Sequence, residues 1–467
     1  MIYRRIVNGV PEEKSVDSRV FNKHYDVIVA GVGTAGIYAI IAAGKNGASV
    51  LGVDRLSSAG GMGTGGYVSG YYYGKGGGLH VGVDEEAEDL AKESFLDSVE
   101  PKKYLFENMA AENNSDLLLE TVITGVFLEG KQAKGISVIS QGETLNFSCD
   151  ILIDATADAS LCVMAGCETN LGRENDGKTR PFTSVKVFLK SDGVIGRTNH
   201  DSGYVNQYDP FELSEGILHA HSSQLLDEFS SSDQRVLFYA PFVGIREGRL
   251  IEAEKVIRAK DVIECKLEKE TLFYGYSDFD KHGKDHALET EDLQDLYIAS
   301  NLSTACFSVP VTVQSLVPKG YKSLMVAGRH LGVDHDVASL LRMKQDMQKC
   351  GESAGVIAAL AVKKGIQPTE VPYEEIKPIL EETGCLTEDH NLGVRFDDYY
   401  RREAIEWMDS PDKIRAELAT DMPGIAIYSC KRIGKSIRPY LKEWMEDSDE
   451  MLRYNSAIAL GLIGDKD

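Results

Sequence analysis

Positive charge is scarce in this sequence. Its 467 residues include 50 Lys and Arg against 73 Asp and Glu, which gives a formal net charge of -23. Nucleic acids and anionic membrane surfaces are bound through clusters of Lys and Arg, so this balance argues against both as partners. An anionic small molecule would need local arginines or lysines that act against the overall field.

Long apolar runs and cysteine pairs are missing as well. No stretch reaches the ~18 apolar residues of a transmembrane helix, and residues 1–15 lack the apolar region of a secretory signal. The eight cysteines include no C-x-x-C pair and the ten histidines show no ligand spacing, so no metal site is predicted. We therefore expect reduced thiols and a cytoplasmic protein.

The strongest positive signal is the segment YDVIVAGVGTAG, residues 25–36. An apolar strand is predicted before its glycines and a helix after them. Gly31 permits a tight turn, Gly33 lets the backbone approach a pyrophosphate, and Gly36 lets the helix pack close to the strand. The N–H groups at the helix start would then face the phosphates.

The next predicted strand, residues 48–53, ends in Asp54. A carboxylate about 20 residues after the glycines is placed to accept hydrogen bonds from ribose hydroxyls. This context favours dinucleotide binding over a glycine-rich turn without a ligand.

A glycine-rich segment, residues 57–78, follows. Large side chains such as Tyr71 and Tyr73 are out of place on a free linker. We therefore predict a loop whose backbone passes close to a flat ligand, closest at Gly60, Gly61 and Gly63, while the tyrosines line the cavity.

A β-meander is predicted over residues 117–149. A buried strand, Asp150–Asp154, then leads into a small-residue turn at 155–159 and a helix. Polar residues dominate from about 190 to 292. Within them Arg246 and Arg249 flank Glu247, which indicates either a surface charge cluster or a substrate contact.

Strand character returns near residue 311, and one long helix is predicted over residues 339–364, with small residues in its middle. Amphipathic helices follow, and residues 427–434 and 457–464 align at a spacing of 30. This pattern is typical of HEAT-class helical hairpins, with an ordinary helical tail as the alternative. An unpaired apolar face would bind a protein partner or a second copy.

The motifs YDVIVAGVGTAG, VLGVDRLSSAGGMGTGG, DILIDATADASL, GIREGR and LMVAGRH with the helix after it occur in this order. Together, over about residues 25–370, they resemble the FAD-dependent oxidoreductases of the glutathione-reductase-like flavoprotein fold. Asp54 stands where the family usually has Glu, and Ala157 stands where many members have Gly. The resemblance implies FAD as cofactor, with contacts from Gly31, Gly33, Thr34, Ala35, Gly36, Asp54, Arg55, Gly61, Met62, Val122, Ala155, Gly328, Arg329 and Gly355.

The predicted fold class is α/β, with a Rossmann-like FAD-binding domain, an inserted β-rich substrate domain and a C-terminal helical, HEAT-like segment. The predicted units are an N-terminal arm (1–24), the first part of the FAD-binding domain (25–189), the substrate domain (190–310), the return to the FAD-binding domain (311–370) and the helical segment (371–467).

His330 is the first catalytic hypothesis, because imidazole titrates near neutrality and this residue follows the late turn. Arg246 and Arg342 are hypotheses for binding a carboxylate or polarising an oxygen. For all three the alternative is a structural role. The predicted reaction is hydride transfer between flavin and a small polar substrate, hydroxylated or carbohydrate-like. There are two alternatives: an NAD(P)-dependent dehydrogenase, and a flavin-retaining scaffold whose helical tail binds a protein.

Overall fold

The computed structural model describes residues 1–94, 97–174, 176–201, 205–228, 234–280, 290–299, 301–398 and 401–464. Its strands, numbered in chain order, are β1 (Ile2–Val7), β2 (Val10–Ser15), β3 (Lys23–Ala30), β4 (Val50–Val53), β5 (Ser115–Leu118), β6 (Val122–Glu129), β7 (Gln132–Ser140), β8 (Glu143–Asp154), β9 (Thr169–Asn170), β10 (Thr183–Lys190), β11 (Ile195–Asp201), β12 (Gln234–Tyr239), β13 (Leu250–Ile251), β14 (Phe273–Asp278), β15 (Ala305–Val311), β16 (Leu324–Val326), β17 (Val394–Asp397) and β18 (Arg402–Ala404). Its α-helices are α1 (Gly36–Lys45), α2 (Leu79–Ser94), α3 (Val99–Glu112), α4 (Ser160–Ala165), α5 (Pro210–Glu228), α6 (Ala259–Ile263), α7 (Glu291–Ile298), α8 (His335–Leu340), α9 (Lys344–Lys364), α10 (Tyr373–Glu382), α11 (Pro411–Leu418), α12 (Gly424–Ile433), α13 (Arg438–Trp444) and α14 (Glu450–Leu462).

The central sheet has the order β2-β1-β6-β7-β8-β3-β4-β5, and β16 pairs with the end of β8. Strands β5, β4, β3, β8 and β16 are parallel. Their central residues are buried and mostly apolar, as expected for a parallel sheet covered on both faces. Ligands of such sheets bind beyond the carboxyl ends of the strands. The turns at Gly31, Asp54, Ala155 and Ala327 all lie at this edge.

The antiparallel side of the sheet extends the predicted meander. Strand β8 is one continuous strand of 12 residues, where the sequence predicts two shorter ones, 144–149 and 150–154. Its first half pairs with β7 and its second half with β3, so a change of neighbours replaces a break in the chain. The predicted N-terminal arm contains a hairpin, β1 and β2, which joins the sheet through β6.

Helices α1 and α9 pack against each other through their backbones. A Cβ atom placed on Gly351 would lie 1.9 Å from the carbonyl oxygen of Ala35, and one on Gly355 would lie 2.3 Å from that of Ala39. Small residues in a helix allow a ligand or a strand to approach closely, and the resemblance implies FAD beside Gly355. The neighbour is instead the helix that begins at the glycine turn.

The single helix predicted over 339–364 is divided into α8 and α9. The chain breaks at Leu341–Met343, where Leu341 has φ −97° and ψ 65°. Leu341 packs at Gly275 of β14, and Arg342 binds Asp280. The break therefore creates a new helix N-terminus at Met343, and no side chain caps it.

The described residues form three smaller sheets as well, with the strand orders β11-β10-β12, β13-β9 and β14-β15-β17-β18. Strand β10 pairs with β11 and β12, and β15 pairs with β14 and β17. The segment predicted to be polar and irregular thus contains both strands and helices. Near the end of the chain, α11 with α12 and α13 with α14 form consecutive helix pairs. In the described residues, no helix has both the length and the apolar character needed to cross a membrane.

Candidate cofactor and active site

The glycine turn after β3 is shaped by contacts that exclude side chains. Gly31 has φ +97°, and a Cβ atom there would lie 2.4 Å from the carbonyl oxygen of Ala155. A Cβ atom on Gly36 would lie 1.9 Å from the carbonyl oxygen of Gly31. Both positions therefore require glycine for packing of the protein itself.

Gly33 differs from these two glycines, because space is open beside it. The nearest atom to an added Cβ is the Cα of Gly61, at 3.9 Å. The N–H groups of Gly33 and Thr34 have no partner in the described part of the chain, and no side chain caps α1 at Ala35. Free N–H groups at the start of a ten-residue helix, beside an open cradle, fit a pyrophosphate group.

Asp54, predicted to bind ribose hydroxyls, forms hydrogen bonds with the backbone of the glycine turn. Its carboxylate accepts hydrogen bonds from the N–H groups of Val32, at 2.6 Å, and Leu56, at 2.9 Å. Arg55 is exposed. Val122 is exposed at the start of β6, next to Thr121, whose N–H donates to the carbonyl of Asp54. Contacts of these residues with adenosine stay predictions.

The loop after β4 is held against the glycine turn. The N–H of Gly60 donates to Val32 O at 2.8 Å, and the Thr34 hydroxyl donates to Gly60 O at 3.3 Å. A Cβ atom on Gly61 would lie 2.8 Å from the Cα of Gly33. The side chain of Met62 lies beside Gly244. Gly61 therefore lies at the glycine turn, and Met62 points toward Gly244; the contacts of both residues with the cofactor stay predictions.

Lys344, at the start of α9, fixes the distal part of this loop. Its Nζ donates to the carbonyls of Val68, at 3.0 Å, and Ser69, at 2.7 Å, and lies 4.1 Å from the ring centre of Tyr71. Burial lowers the pKa of Lys344 to about 7. Sequence reasoning missed this lysine, because only the helix break places it here. The hydroxyl of Tyr73 donates to the carbonyl of Asp397.

The turn after β8 lies against the glycine turn, on the Ala155 side of Gly31. The N–H of Ala155 donates to Ala30 O at 2.7 Å. Ala157 has φ +65°, a left-handed conformation that is unfavourable for a residue with a Cβ atom. This explains in physical terms why many members of the resembled family have glycine at this position.

We expect Ala157→Gly to stabilise the protein by about 1 kcal/mol, because it removes this backbone strain. Urea unfolding of both proteins measures the difference. Ala416→Gly, at an exposed position inside α11, is the matched control and should lose about 1 kcal/mol. Equal losses in the two variants would contradict the strain at Ala157.

His330 is fully buried. Its Nε2 lies 3.0 Å from the carbonyl oxygen of Asp154 and 3.5 Å from a carboxylate oxygen of the same residue. That carboxylate also accepts hydrogen bonds from Thr156 and from the N–H of Cys162. Burial alone would raise the pKa of Asp154, but His330 and Thr156 lower it to about 2. His330 has the contacts of a structural link, and its proton transfer to substrate stays a prediction.

The lowered pKa of Asp154 makes a pH-dependent contribution to stability. The pKa falls from 3.8 to about 2 on folding. The contribution is therefore complete above about pH 4 and is lost as the pH falls toward 2. We expect Asp154→Asn to destabilise the protein at pH 7, and the gap from wild type to shrink by up to about 1.4 kcal/mol per pH unit below pH 4. Urea unfolding at pH 7, 4 and 3 measures this gap. Asp150→Asn, at an exposed position on the same strand, is the control, and a gap that does not change with pH would contradict the account.

The two arginines predicted to be catalytic both form hydrogen bonds within the protein. Arg246 is buried and donates from Nη1 to the carbonyl of Pro181 at 2.7 Å. Arg342 donates from Nη2 to the carboxylate of Asp280 at 2.7 Å. Their contact with a substrate stays a prediction.

Glu247 is the centre of a buried cluster that sequence reasoning missed. One carboxylate oxygen accepts from the N–H of Arg180 at 2.9 Å, and the other lies 2.6 Å from Nδ1 of His335. Arg180 in turn donates to the carbonyl of His335. The motif GIREGR drew attention to the segment that contains Glu247. The partners of Glu247 could not be read from the motif, because they lie 67 and 88 residues away in the chain.

Arg329, in the late turn after β16, interacts electrostatically with this cluster. Gly328 has φ +133°, and its N–H donates to the sulfur of Cys350. Arg329 is partly buried within the electrostatic field of Asp158, Glu247 and Arg342, and burial lowers its pKa to about 10. Arg329 thus interacts electrostatically with residues from three other segments of the chain. Gly355, which was predicted to contact the cofactor, instead packs against Ala39 of α1.

A family model matches most of the chain. Residues 26–212 and 211–380 match the family described as FAD dependent oxidoreductase. None of the curated proteins compared with the sequence matches it.

Similar solved structures are remote in sequence. A geranylgeranyl bacteriochlorophyll reductase-like protein from Thermoplasma acidophilum is 11% identical, with a TM-score of 0.40, over 77% of this chain and 83% of its own. The OxyS anhydrotetracycline hydroxylase from Streptomyces rimosus is 10% identical, with a TM-score of 0.39, over 94% and 76%. Likeness at this level carries no argument about function. The family match covers most of the chain, and the site at the glycine turn fits a dinucleotide. The chain therefore belongs to the FAD-dependent oxidoreductase family, whose cofactor is FAD.

Proposed function

We propose that this enzyme transfers a hydride between FAD and a small polar organic substrate that is hydroxylated or carbohydrate-like. The observation that supports the substrate class is a group of charged side chains that interact electrostatically with Arg329, in the late turn after β16. Asp158, Glu247, Arg329 and Arg342 come from separate segments and lie within one electrostatic cluster. A polar substrate could exchange hydrogen bonds with side chains of this kind, whereas an apolar substrate could not.

The residues available for FAD are those of the glycine turn and the loop beside it. The free N–H groups of Gly33 and Thr34 would hold the pyrophosphate, and Gly61 would border it. FAD, when bound, supplies two-electron chemistry, in which a hydride leaves a carbinol carbon for the flavin and a carbonyl product forms.

The hydroxyl proton needs an acceptor in the protein. His330, the first hypothesis for this role, is fully buried and bound to Asp154. We therefore assign the role to Asp278, which ends β14 two residues before Asp280, the partner of Arg342. Burial and the neighbouring carboxylate of Asp280 raise the pKa of Asp278 to about 6. A base with a pKa near the working pH transfers protons most effectively. Arg342, which binds Asp280, keeps a positive charge beside this carboxylate.

The test follows the visible absorption of the bound flavin. We expect the purified protein to be yellow, and the flavin bands to bleach without oxygen when an oxidisable substrate is added. A panel of hydroxy acids, sugars, sugar acids and polyols covers the proposed class. A yellow protein whose flavin is bleached by dithionite, but by no member of the panel, would contradict the proposed substrate class.

The inserted substrate domain and the HEAT-like tail belong to the same proposal, as does the glutathione-reductase-like form of the fold. The tail presents exposed apolar side chains, among them Met451 and Tyr454 of α14. We propose that this face binds a protein partner or a second copy of the chain. Light scattering of the purified protein tests the second copy, and a monomeric mass would contradict it. A cytoplasmic location stays a prediction.

A further inference from the structure

Three side chains of the kinds that bind metal ions meet near the start of β3. His24 and Asp26 are two residues apart on this strand, so they lie on the same face of the sheet. Asp150 is the residue of β8 that lies opposite Asp26 in the parallel pairing of the two strands. One nitrogen or oxygen atom of each side chain lies within 4.8 Å of those of the other two. A histidine and two carboxylates from neighbouring strands therefore converge on one point.

Two serines orient the histidine and one of the carboxylates. The Oγ atom of Ser148 lies 3.0 Å from Nδ1 of His24. When the ring hydrogen is on Nδ1, the ring donates to Ser148, and the lone pair of Nε2 faces Asp150, whose carboxylate oxygen is 3.6 Å away. Oδ2 of Asp26 accepts hydrogen bonds from the N–H of Ser49, at 2.7 Å, and from its hydroxyl, at 2.9 Å. Outer partners that fix a ring or a carboxylate in this way are typical of metal-binding residues.

Lys23, the neighbour of His24 in the chain, does not neutralise the two carboxylates. Its side chain lies on the opposite face of β3 and pairs with Asp116 at 2.8 Å. Two carboxylates therefore face one imidazole, which carries at most one positive charge, and the protein as a whole has a net charge of -23. A divalent cation would offset this excess of negative charge.

The three ligand types select the class of ion. An imidazole nitrogen suits Zn²⁺ and other late transition metals, whereas Mg²⁺ and Ca²⁺ prefer oxygen ligands alone. Bonds of about 2.1 Å to Zn²⁺ place two ligand atoms at most about 4.2 Å apart. A small rotation of the exposed Asp150 side chain closes the observed arrangement to this size. Water would complete the coordination of an ion at such an exposed position.

We propose that His24, Asp26 and Asp150 bind a divalent transition-metal ion, with Zn²⁺ as the best fit, and that the ion links β3 to β8. The site is remote from the cofactor, because Asp26 precedes the glycine turn at Gly31 by about 16 Å of strand at about 3.3 Å per residue. The ion therefore stabilises the sheet and takes no part in the flavin chemistry. This inference is independent of the proposed function.

The test is a calorimetric titration of the FAD-loaded protein with zinc chloride, after EDTA treatment and gel filtration. We expect one site per chain, which His24→Gln weakens by about 100-fold or more because a ligand is lost. Ser148→Ala should weaken Zn²⁺ binding by about 10- to 100-fold, since it removes only the outer partner of the ring. His219→Gln is the matched control. His219 is an exposed histidine with one carboxylate, that of Glu215, 3.6 Å away, and its replacement should leave the Zn²⁺ affinity unchanged.

Thermal unfolding followed by circular dichroism gives a second readout. An ion that binds only the folded protein raises its stability, so Zn²⁺ should raise the unfolding temperature of wild type and of His219→Gln, but not that of His24→Gln. Mg²⁺ at the same concentration should have little effect, because one of the ligands is nitrogen. The visible flavin spectrum should not change on addition of Zn²⁺.

Two results would overturn the inference. Equal Zn²⁺ affinities of wild type, His24→Gln and Ser148→Ala would place the ion elsewhere on the protein. Mg²⁺ binding as tight as Zn²⁺ binding would mean that the carboxylates act without the imidazole. Since His24 is exposed, its replacement should not disturb folding, and Ser148→Ala tests the same site without changing a ligand.

Discussion

A Gly33→Asp variant is expected to fold and to be purified without FAD. Gly33 has space for a Cβ atom, since the nearest atom would be 3.9 Å away, and its backbone is not left-handed. The new carboxylate would stand in the cradle proposed for the pyrophosphate. Two like charges about 4 Å apart repel by about 4 kcal/mol at an effective dielectric constant of about 20. FAD affinity should therefore fall by about 1000-fold.

Absorption of the purified protein and titration with added FAD measure this loss. Gly82→Asp is the matched control, because it adds the same charge at an exposed glycine of α2 with nothing within 4 Å. It should keep its yellow colour. If Gly33→Asp bound FAD as tightly as Gly82→Asp, the pyrophosphate would have to lie elsewhere. An unfolded Gly33→Asp protein would show that the cradle is not open.

The glycine turn could be predicted from sequence because the information for it is local. Three glycines, the strand before them and the helix after them are read within residues 25–45, and close backbone contacts at Gly31 and Gly36 require the residue type found there. The parallel strands β3 and β8 were predicted for the same reason, since their buried cores are continuous apolar runs.

The break between α8 and α9 could not be predicted in this way. The residues around Arg342 include no Gly or Pro, and the break coincides with two long-range contacts, that of Leu341 with Gly275 and that of Arg342 with Asp280, 62 residues earlier. The position of Lys344 beside the cofactor loop depends on that break. A long-range contact thus decides what local propensity leaves undetermined.

The partners of the charged side chains could not be predicted from the sequence either. His330 and Asp154 are 176 residues apart, and only the parallel pairing of β16 with β8 brings them together. The partners of Asp158 and Glu247 also come from distant segments, since Arg249 is 91 residues from Asp158 and His335 is 88 residues from Glu247. Residue types in motifs therefore indicated the cofactor, but could not show which charged side chains the fold pairs with each other.

The packing of α9 on α1 leads to the second large expected effect. In Gly351→Ala the new Cβ atom would lie 1.9 Å from the carbonyl oxygen of Ala35, a separation that real structures do not allow. That oxygen belongs to backbone at the start of α1, so relief requires the two helices to move apart. We expect a loss of about 3 kcal/mol or more in the free energy of unfolding. FAD binding should weaken in the folded fraction, because the same movement displaces the free N–H groups of the glycine turn.

The same substitution at Gly461 should have the opposite sign. Gly461 lies inside α14 with nothing within 4 Å, so Gly461→Ala should gain about 0.5–1 kcal/mol from helix propensity alone. Urea unfolding of both variants, with FAD retention measured beside it, separates the two effects. Similar stabilities for the two variants would mean that the helices are not in backbone contact. A large loss at Gly351 without any loss of FAD would mean that α9 can shift without moving the turn, and that the cofactor cradle depends on α1 and β3 alone.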